Sequence, residues 1–226
     1  MYLILNYYIS TNEIRKKELE WCINRNLENQ YIEKIILLND QNYDLSFIEN
    51  KDKVIQITNL EIGTKLNYQC VIDFANTYMK NKICIIANTD IIFDNSLDLL
   101  TKFNFDKKFI ALSRYELFTE QLAKEYSQDS WIFRSPLNIN TSHCKFDFGK
   151  MGCDGKIAYV AHKHGYRILN PALSIKSYHN HRSNFRTYKS SDKINKPYLW
   201  VYPSRINQIS KLKLKTDLTL QNINNN

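Results

Sequence analysis

Short apolar runs alternate along this chain with segments whose apolar residues recur every three or four positions, and no other feature limits the fold as much. Tyr2 to Tyr8 is a β-rich run, and Ser10 and Glu13 after it have the spacing of a capping box. Leu19, Cys22, Ile23 and Leu27 then mark one helical stripe, which assigns Arg15, Lys16, Lys17 and Glu20 to the water side. Lys34 to Leu38 is a second strand ending at Asn39-Asp40, and Lys53 to Ile57 a third. Lys65 to Lys80 carries Leu66, Cys70, Val71, Phe74, Ala75 and Tyr78 as a second helical stripe. Ile83-Cys84-Ile85-Ile86 is apolar throughout, as a central strand covered on both faces requires. This order predicts an α/β chain with a mostly parallel central sheet flanked by helices, whose ligands sit at the carboxyl ends of the strands.

The second half is less regular. Phe109 to Ser113 and Ser130 to Phe133 read as strands, and a helix starts near Asp154. Gly165 to Leu169 and Leu173 to Tyr178 flank the turn signal Asn170-Pro171, and Lys211 to Leu220 alternates as an edge strand would. With 226 residues, one domain spanning 1–226 is the simplest division. Hydrophobic residues at 43% and charged residues at 24% exclude a disordered chain. No apolar run reaches the roughly 18 residues of a membrane helix, and the start lacks the marks of a secretory signal. Five cysteines without C-x-x-C spacing argue against a disulfide framework. A soluble, cytoplasmic protein without an integral membrane segment, open to recruitment at a membrane surface, is the expectation. The formal charge of +8 suits nucleotide ligands as well as nucleic acid, and the abundance of Asn, Lys and Ile is a bias that AT-rich coding alone produces.

The first strand is not followed by G-x-G-x-x-G, so NAD binding is not expected, and Gly149, Gly152 and Gly155 do not form a P-loop, which excludes P-loop chemistry. Instead Ile85 to Asp94 runs from an apolar strand into Asn88-Thr89-Asp90. A carboxylate at a strand end, joined by a diphosphate, suffices for a hard divalent cation, although Asp90 and Asp94 would equally cap a turn.

Asn88-Thr89-Asp90 resembles the D-x-D element, in an N-x-D form, of GT-A glycosyltransferases, which use a nucleotide sugar and a divalent metal. Gly152 to Tyr159, with His164 to Pro171, is similar to the acidic helix start and following G-Y-x-I strand of family 2 type members. The resemblance covers roughly Met1 to Tyr188 in order of elements. It implies a single GT-A-like, Rossmann-related domain with a nucleotide-binding half (1–100), an acceptor and catalytic half (101–190) and a C-terminal extension (191–226). It further implies transfer of a sugar, with inversion, from a nucleotide diphosphate donor to a hydroxyl on a glycan, lipid or protein. Asp154 would be the base, and Asp90, His179 and His181 would hold Mn2+ or Mg2+. Tyr7, Asp40, Lys65, Asn67, Asn88 and Thr89 would meet the nucleotide, and Arg114, Asp129 and Trp131 the acceptor.

Several alternatives stay open. Asp154 at a helix start is equally a capping residue, although Gly149, Gly152 and Gly155 bracket it and glycine permits close approach to a ligand. Trp131 is equally a core residue, and Arg182, Arg186 and Tyr188, which would clamp a diphosphate, equally a solvated basic strand. The histidines and cysteines lack the spacing of a zinc site. A nucleotidyltransferase would show a glycine-rich basic loop after the first strand, and a nucleic-acid-binding module would interleave arginines with aromatics. Neither pattern occurs, so no nucleic-acid partner is expected. Asn88 in place of an acid leaves a degenerate binding domain as a further reading.

Overall fold

The computed structural model describes residues 1–58, 65–124, 127–183, 185, 190–217 and 220–223. Its strands are β1 (Tyr2–Leu5), β2 (Lys34–Asn39), β3 (Val54–Thr58), β4 (Ile83–Ala87), β5 (Ile91–Phe93), β6 (Lys108–Ser113), β7 (Tyr115–Glu116), β8 (Gln128–Arg134), β9 (Arg167–Leu169), β10 (Ser177–His179), β11 (Tyr198–Val201), β12 (Leu212–Lys215) and β13 (Leu220–Ile223). The α-helices are α1 (Glu13–Leu27), α2 (Tyr68–Tyr78) and α3 (Cys153–Lys163).

Seven strands form the central sheet in the order β3-β2-β1-β4-β8-β6-β9, all parallel except β8, which runs against β4 and β6. The apolar runs are continuous because both faces are covered. Ile4, Ile36 and Ile86 point into one core layer with α2 and α3, while their neighbours Leu3, Leu37 and Ile85 point into the other with α1. No helix among the described residues is long and apolar enough to cross a membrane.

Helix α1 departs from its expected start. The cap is Asn12, whose Oδ1 accepts from the Arg15 amide at 2.9 Å, and Ser10 instead accepts from the Asn12 amide at 3.2 Å. Asparagine caps as well as serine, and its position directly before Glu13 decides the register. Arg15 also departs from its expected water-facing side, being only 6% exposed. It lies four residues before Leu19 and seven before Cys22, hence on the buried stripe. Farther along that stripe, Asn26 Nδ2 donates to the Ile91 carbonyl at 2.7 Å, and its Oδ1 accepts from the Phe93 amide at 3.0 Å. Helix α1 thereby fixes β5, the strand that follows Asp90. In α2 the expected stripe ends early, since Tyr78 is 74% exposed.

Two smaller sheets carry the chain beyond the central one. In the first, β10 lies between β5 and β7, pairing His179 with Ile91 on one side and with Glu116 on the other. The strand expected over Leu173 to Tyr178 is shorter because the amides of Ser174 and Ile175 both turn back to the Pro171 carbonyl. In the second, β12 is the middle strand of β11-β12-β13, so the segment expected at an edge is paired on both sides. Asn170 ties this sheet to the central one, donating to the Val201 carbonyl (2.7 Å) and accepting from the Ser113 amide (3.0 Å).

The glycines before and within α3 serve packing. Gly152 has φ +91°, and a Cβ there would stand 2.8 Å from the Tyr198 ring; a Cβ at Gly155 would stand 2.8 Å from Tyr198 Cβ. The close approach that the sequence suggested for a ligand is therefore made, at these two positions, by Tyr198 of β11. Gly152→Ala combines this overlap with a disfavoured backbone angle and is expected to cost at least about 1–3 kcal/mol, read by denaturant unfolding. A loss within 0.5 kcal/mol would contradict that packing.

Candidate active site

A cleft of about 1130 Å³ opens at the carboxyl edge of the parallel strands. Asn6, Asp40 and Asn88 enter it from the ends of β1, β2 and β4, and Asp129 from the start of the reversed strand β8. Cys153 and Asp154 close one side from the first turn of α3.

Asp90 lines the cleft and is only 6% exposed. His179 Nε2 lies 3.2 Å and His181 Nδ1 3.9 Å from its Oδ2, and the Arg15 guanidinium contacts the same oxygen. Asp90 Oδ1 is buried without a partner, as is Arg15 Nε. The Asp90, His179 and His181 ligand atoms all lie within 4.8 Å of one another. Burial alone would raise the Asp90 pKa, but His179 and Arg15 reverse that and hold it well below the usual carboxylate range. For His179, too, burial opposes the charged ring, and the bond to Asp90 more than offsets it, leaving the pKa raised. Its other nitrogen, Nδ1, faces Glu116 Oε2 at 3.2 Å.

Arg15 also ties the cleft to the segment after β10. Its NH1 donates to Glu18 (3.1 Å) and to the Asn180 carbonyl (3.2 Å), while Glu18 accepts from the Ser183 amide (2.7 Å) and hydroxyl (2.9 Å). A second cluster lies beside the first: Asn88 Nδ2 donates to Asp129 Oδ1 at 2.6 Å, and Arg114 bridges Asp129 and Glu116.

Asp154 is half-buried at the second position of α3, not at its cap, which is Gly152. Its Oδ1 accepts from the Cys153 thiol at 3.0 Å. Burial first, and the negative charge of Asp129 second, push the Asp154 pKa well above the ordinary carboxylate range. The Cys153 thiol is pushed up by burial as well, which makes it a poor nucleophile.

The structure brings Asp40, Lys65, Asn88, Thr89, Asp90, Arg114, Asp129, Asp154, His179 and His181 to this one cleft. Three expected residues lie elsewhere. Tyr7 is buried against Tyr43 and Phe47, because successive residues of an extended chain face opposite ways and Asn6 and Tyr8 take the cleft side. Asn67 accepts from the Cys70 amide and caps α2. Trp131 is fully buried, edge-on to Tyr68 and Phe148 and paired with Ile86, so it offers no ring face to a sugar. Arg182 stacks over Phe118, 4.7 Å from the ring centre, and Arg186 and Tyr188 lie outside the described residues. Sequence reasoning missed Arg15, Glu18 and Glu116. For the first two the available signal was two charges bordering an apolar helical stripe, since Glu18 is also only 6% exposed.

No protein-family model matches the chain, and no curated protein matches it in sequence. Solved structures do. S. aureus TarS in complex with UDP-GlcNAc superposes with a TM-score of 0.53 over 87% of this chain and 61% of its own, at 11% identity. The Pyrobaculum calidifontis mannosyltransferase PcManGT, with GDP-Man and Mn2+, gives 0.48 over 75% and 54%, at 13% identity. The catalytic domain of Drosophila β1,4-galactosyltransferase 7, with xylobiose, gives 0.48 over 95% and 92%, at 11% identity. The chain thus spans about three fifths of the solved TarS chain, residues 1–349, and just over half of the PcManGT chain. Its fold is GT-A-like, as in TarS: a mixed α/β architecture around a mostly parallel sheet.

Proposed function

We propose that this chain transfers a glycosyl group from a nucleotide diphosphate sugar to a hydroxyl acceptor, with inversion. The observation that carries the reading is the placement, in one cleft of a GT-A-like fold, of a carboxylate with two histidines and of an aspartate whose pKa is raised. Asp40, Lys65 and Asn88 would line the nucleotide side. Asp129, bonded to Asn88 and paired with Arg114, would meet the sugar and the acceptor together with Asp154.

Asp90, His179 and His181 fit a divalent cation: the donor set is one carboxylate and two imidazoles, and Asp90 Oδ1 is a buried acceptor without a partner. These three residues would hold it, with Glu116 orienting His179 through Nδ1. Such an ion would supply positive charge to the departing diphosphate. The chain's own residues do the rest. Arg15, which also lines the cleft, balances the charges of Asp90 and Glu18 and holds the Asp90 carboxylate in place. A carboxyl with a raised pKa is a stronger base once ionised, and Asp154 would take the proton from the acceptor hydroxyl as that oxygen attacks the anomeric carbon.

A ligand that binds only the folded state raises its melting temperature. Nucleotide diphosphate sugars are therefore expected to stabilise the chain with Mn2+ and not with chelator, and Asp90→Asn to remove the Mn2+-dependent part. Stabilisation that survives in Asp90→Asn with unchanged Mn2+ dependence would take Asp90 out of the metal site. No stabilisation by any nucleotide sugar would sink the reading.

A further inference from the structure

The β11-β12-β13 sheet turns an aromatic and basic face into the cleft that the scheme above does not use. Leu199, Val201 and Leu212 are buried in the core with Leu214 packed against them, so alternation puts Tyr198, Trp200, Lys213 and Lys215 on the opposite face. Of these, Tyr198, Trp200 and Lys215 line the cleft, together with Lys193. Lys215 Nζ lies 5.0 Å from the centre of the Trp200 ring, and Lys193 Nζ 5.9 Å from that of Tyr198. Both lysines lack a carboxylate partner among the described residues, whereas Lys150 is paired with Asp147 (2.7 Å) and Lys196 with Asp217 (3.3 Å). Residues 190–217 hold six Lys or Arg and two Asp, a net +4 that is half of the chain's +8. Tyr198 packs on Gly152, two residues before Asp154, which sets this face beside the proposed base.

An indole at a cleft wall offers a stacking surface to the apolar side of a sugar ring, and ammonium groups held over aromatic rings offer charge to an anion. We propose that Trp200, Lys215 and Lys193 form an acceptor subsite for an anionic carbohydrate, one carrying a phosphate or carboxylate near the hydroxyl presented to Asp154. The site stands on its own geometry; its role as acceptor site rests on the glycosyl-transfer reading. A nucleic-acid strand fits less well, because its continuous phosphate charge would run past Asp129 and Asp154 in the same cleft.

Ligand-observed NMR on the full chain, without nucleotide, tests the subsite directly. Glucose, glucose 6-phosphate, glucuronate, inorganic phosphate and an oligothymidylate are compared as probes. Glucose 6-phosphate or glucuronate is expected to bind at least tenfold more tightly than glucose and than inorganic phosphate, and whichever binds better identifies the anion. The double variant Lys193→Gln/Lys215→Gln is expected to lose that preference, and Trp200→Ala to weaken the sugar phosphate at least fivefold while leaving inorganic phosphate unchanged. Equal binding of glucose, inorganic phosphate as tight as the sugar phosphate, oligothymidylate tighter than both anionic sugars, or a double variant that binds like the parent would each overturn the proposal. Failure of the nucleotide-sugar screen is a separate outcome, since these probes bind without a donor.

Discussion

Asp154→Asn is expected to lower turnover by about two to four orders of magnitude, with donor affinity little changed. The same substitution is expected to stabilise the fold at neutral pH. The sign follows from linkage: a carboxyl whose folded pKa is raised contributes stability below its unfolded pKa, near 3.8, and loses it as pH rises through the folded value. At neutral pH the native protein therefore holds Asp154 under strain, whereas Asn is neutral there at any pH. Melting curves of the two proteins should diverge as pH rises above the ordinary carboxylate range, with the variant the more stable, and turnover should move the other way. A carboxylate that merely favoured the helix dipole predicts the opposite, a variant that turns over normally and melts lower.

Loss of Arg15 is the other large effect. Arg15→Met leaves Asp90 and Glu18 in the interior without their shared cation, and breaking a buried ion pair from one side typically costs about 3–5 kcal/mol. At roughly 2–4 °C per kcal/mol for a chain of this size, the melting temperature should fall by about 6–20 °C. Mn2+ should then restore more stability to Arg15→Met than it adds to the parent, because the ion would no longer share Asp90 with a guanidinium. A variant melting within about 1 °C of the parent would show that Arg15 does not stabilise this cluster.

These two residues also mark what the sequence discloses. The place of Asp154 in the cleft was legible because a family-like motif, a helix start and neighbouring glycines coincided. The glycines, however, answer at two of three positions to Tyr198, some 45 residues farther along the chain, and no local pattern reports a contact of that range. Arg15 was misread because a charge on an amphipathic helix normally faces water, and only its partner Asp90, 75 residues away, explains the exception. The main strands and the helices α1 and α2 followed from periodicity, since burial on two faces leaves continuous apolar runs. His179 and His181 follow from the same rule, two residues apart on an extended segment and on one side of it. The exchange of Tyr7 for Asn6 and Tyr8 is a single step of strand register, a precision at which a run of three polar or aromatic residues carries no mark. Trp131 differs from Asp129 only in depth: both belong to β8, but Asp129 stands at the sheet edge and Trp131 two residues inside it.

The most direct test of the account is 31P NMR of the parent chain with its stabilising nucleotide sugar, Mn2+ and an acceptor, read together with the anomeric proton of the product. Glycosyl transfer with inversion predicts acceptor-dependent release of the nucleoside diphosphate and a product of opposite anomeric configuration to the donor. Release of pyrophosphate in place of the nucleoside diphosphate, or a product that keeps the donor's configuration, would contradict it.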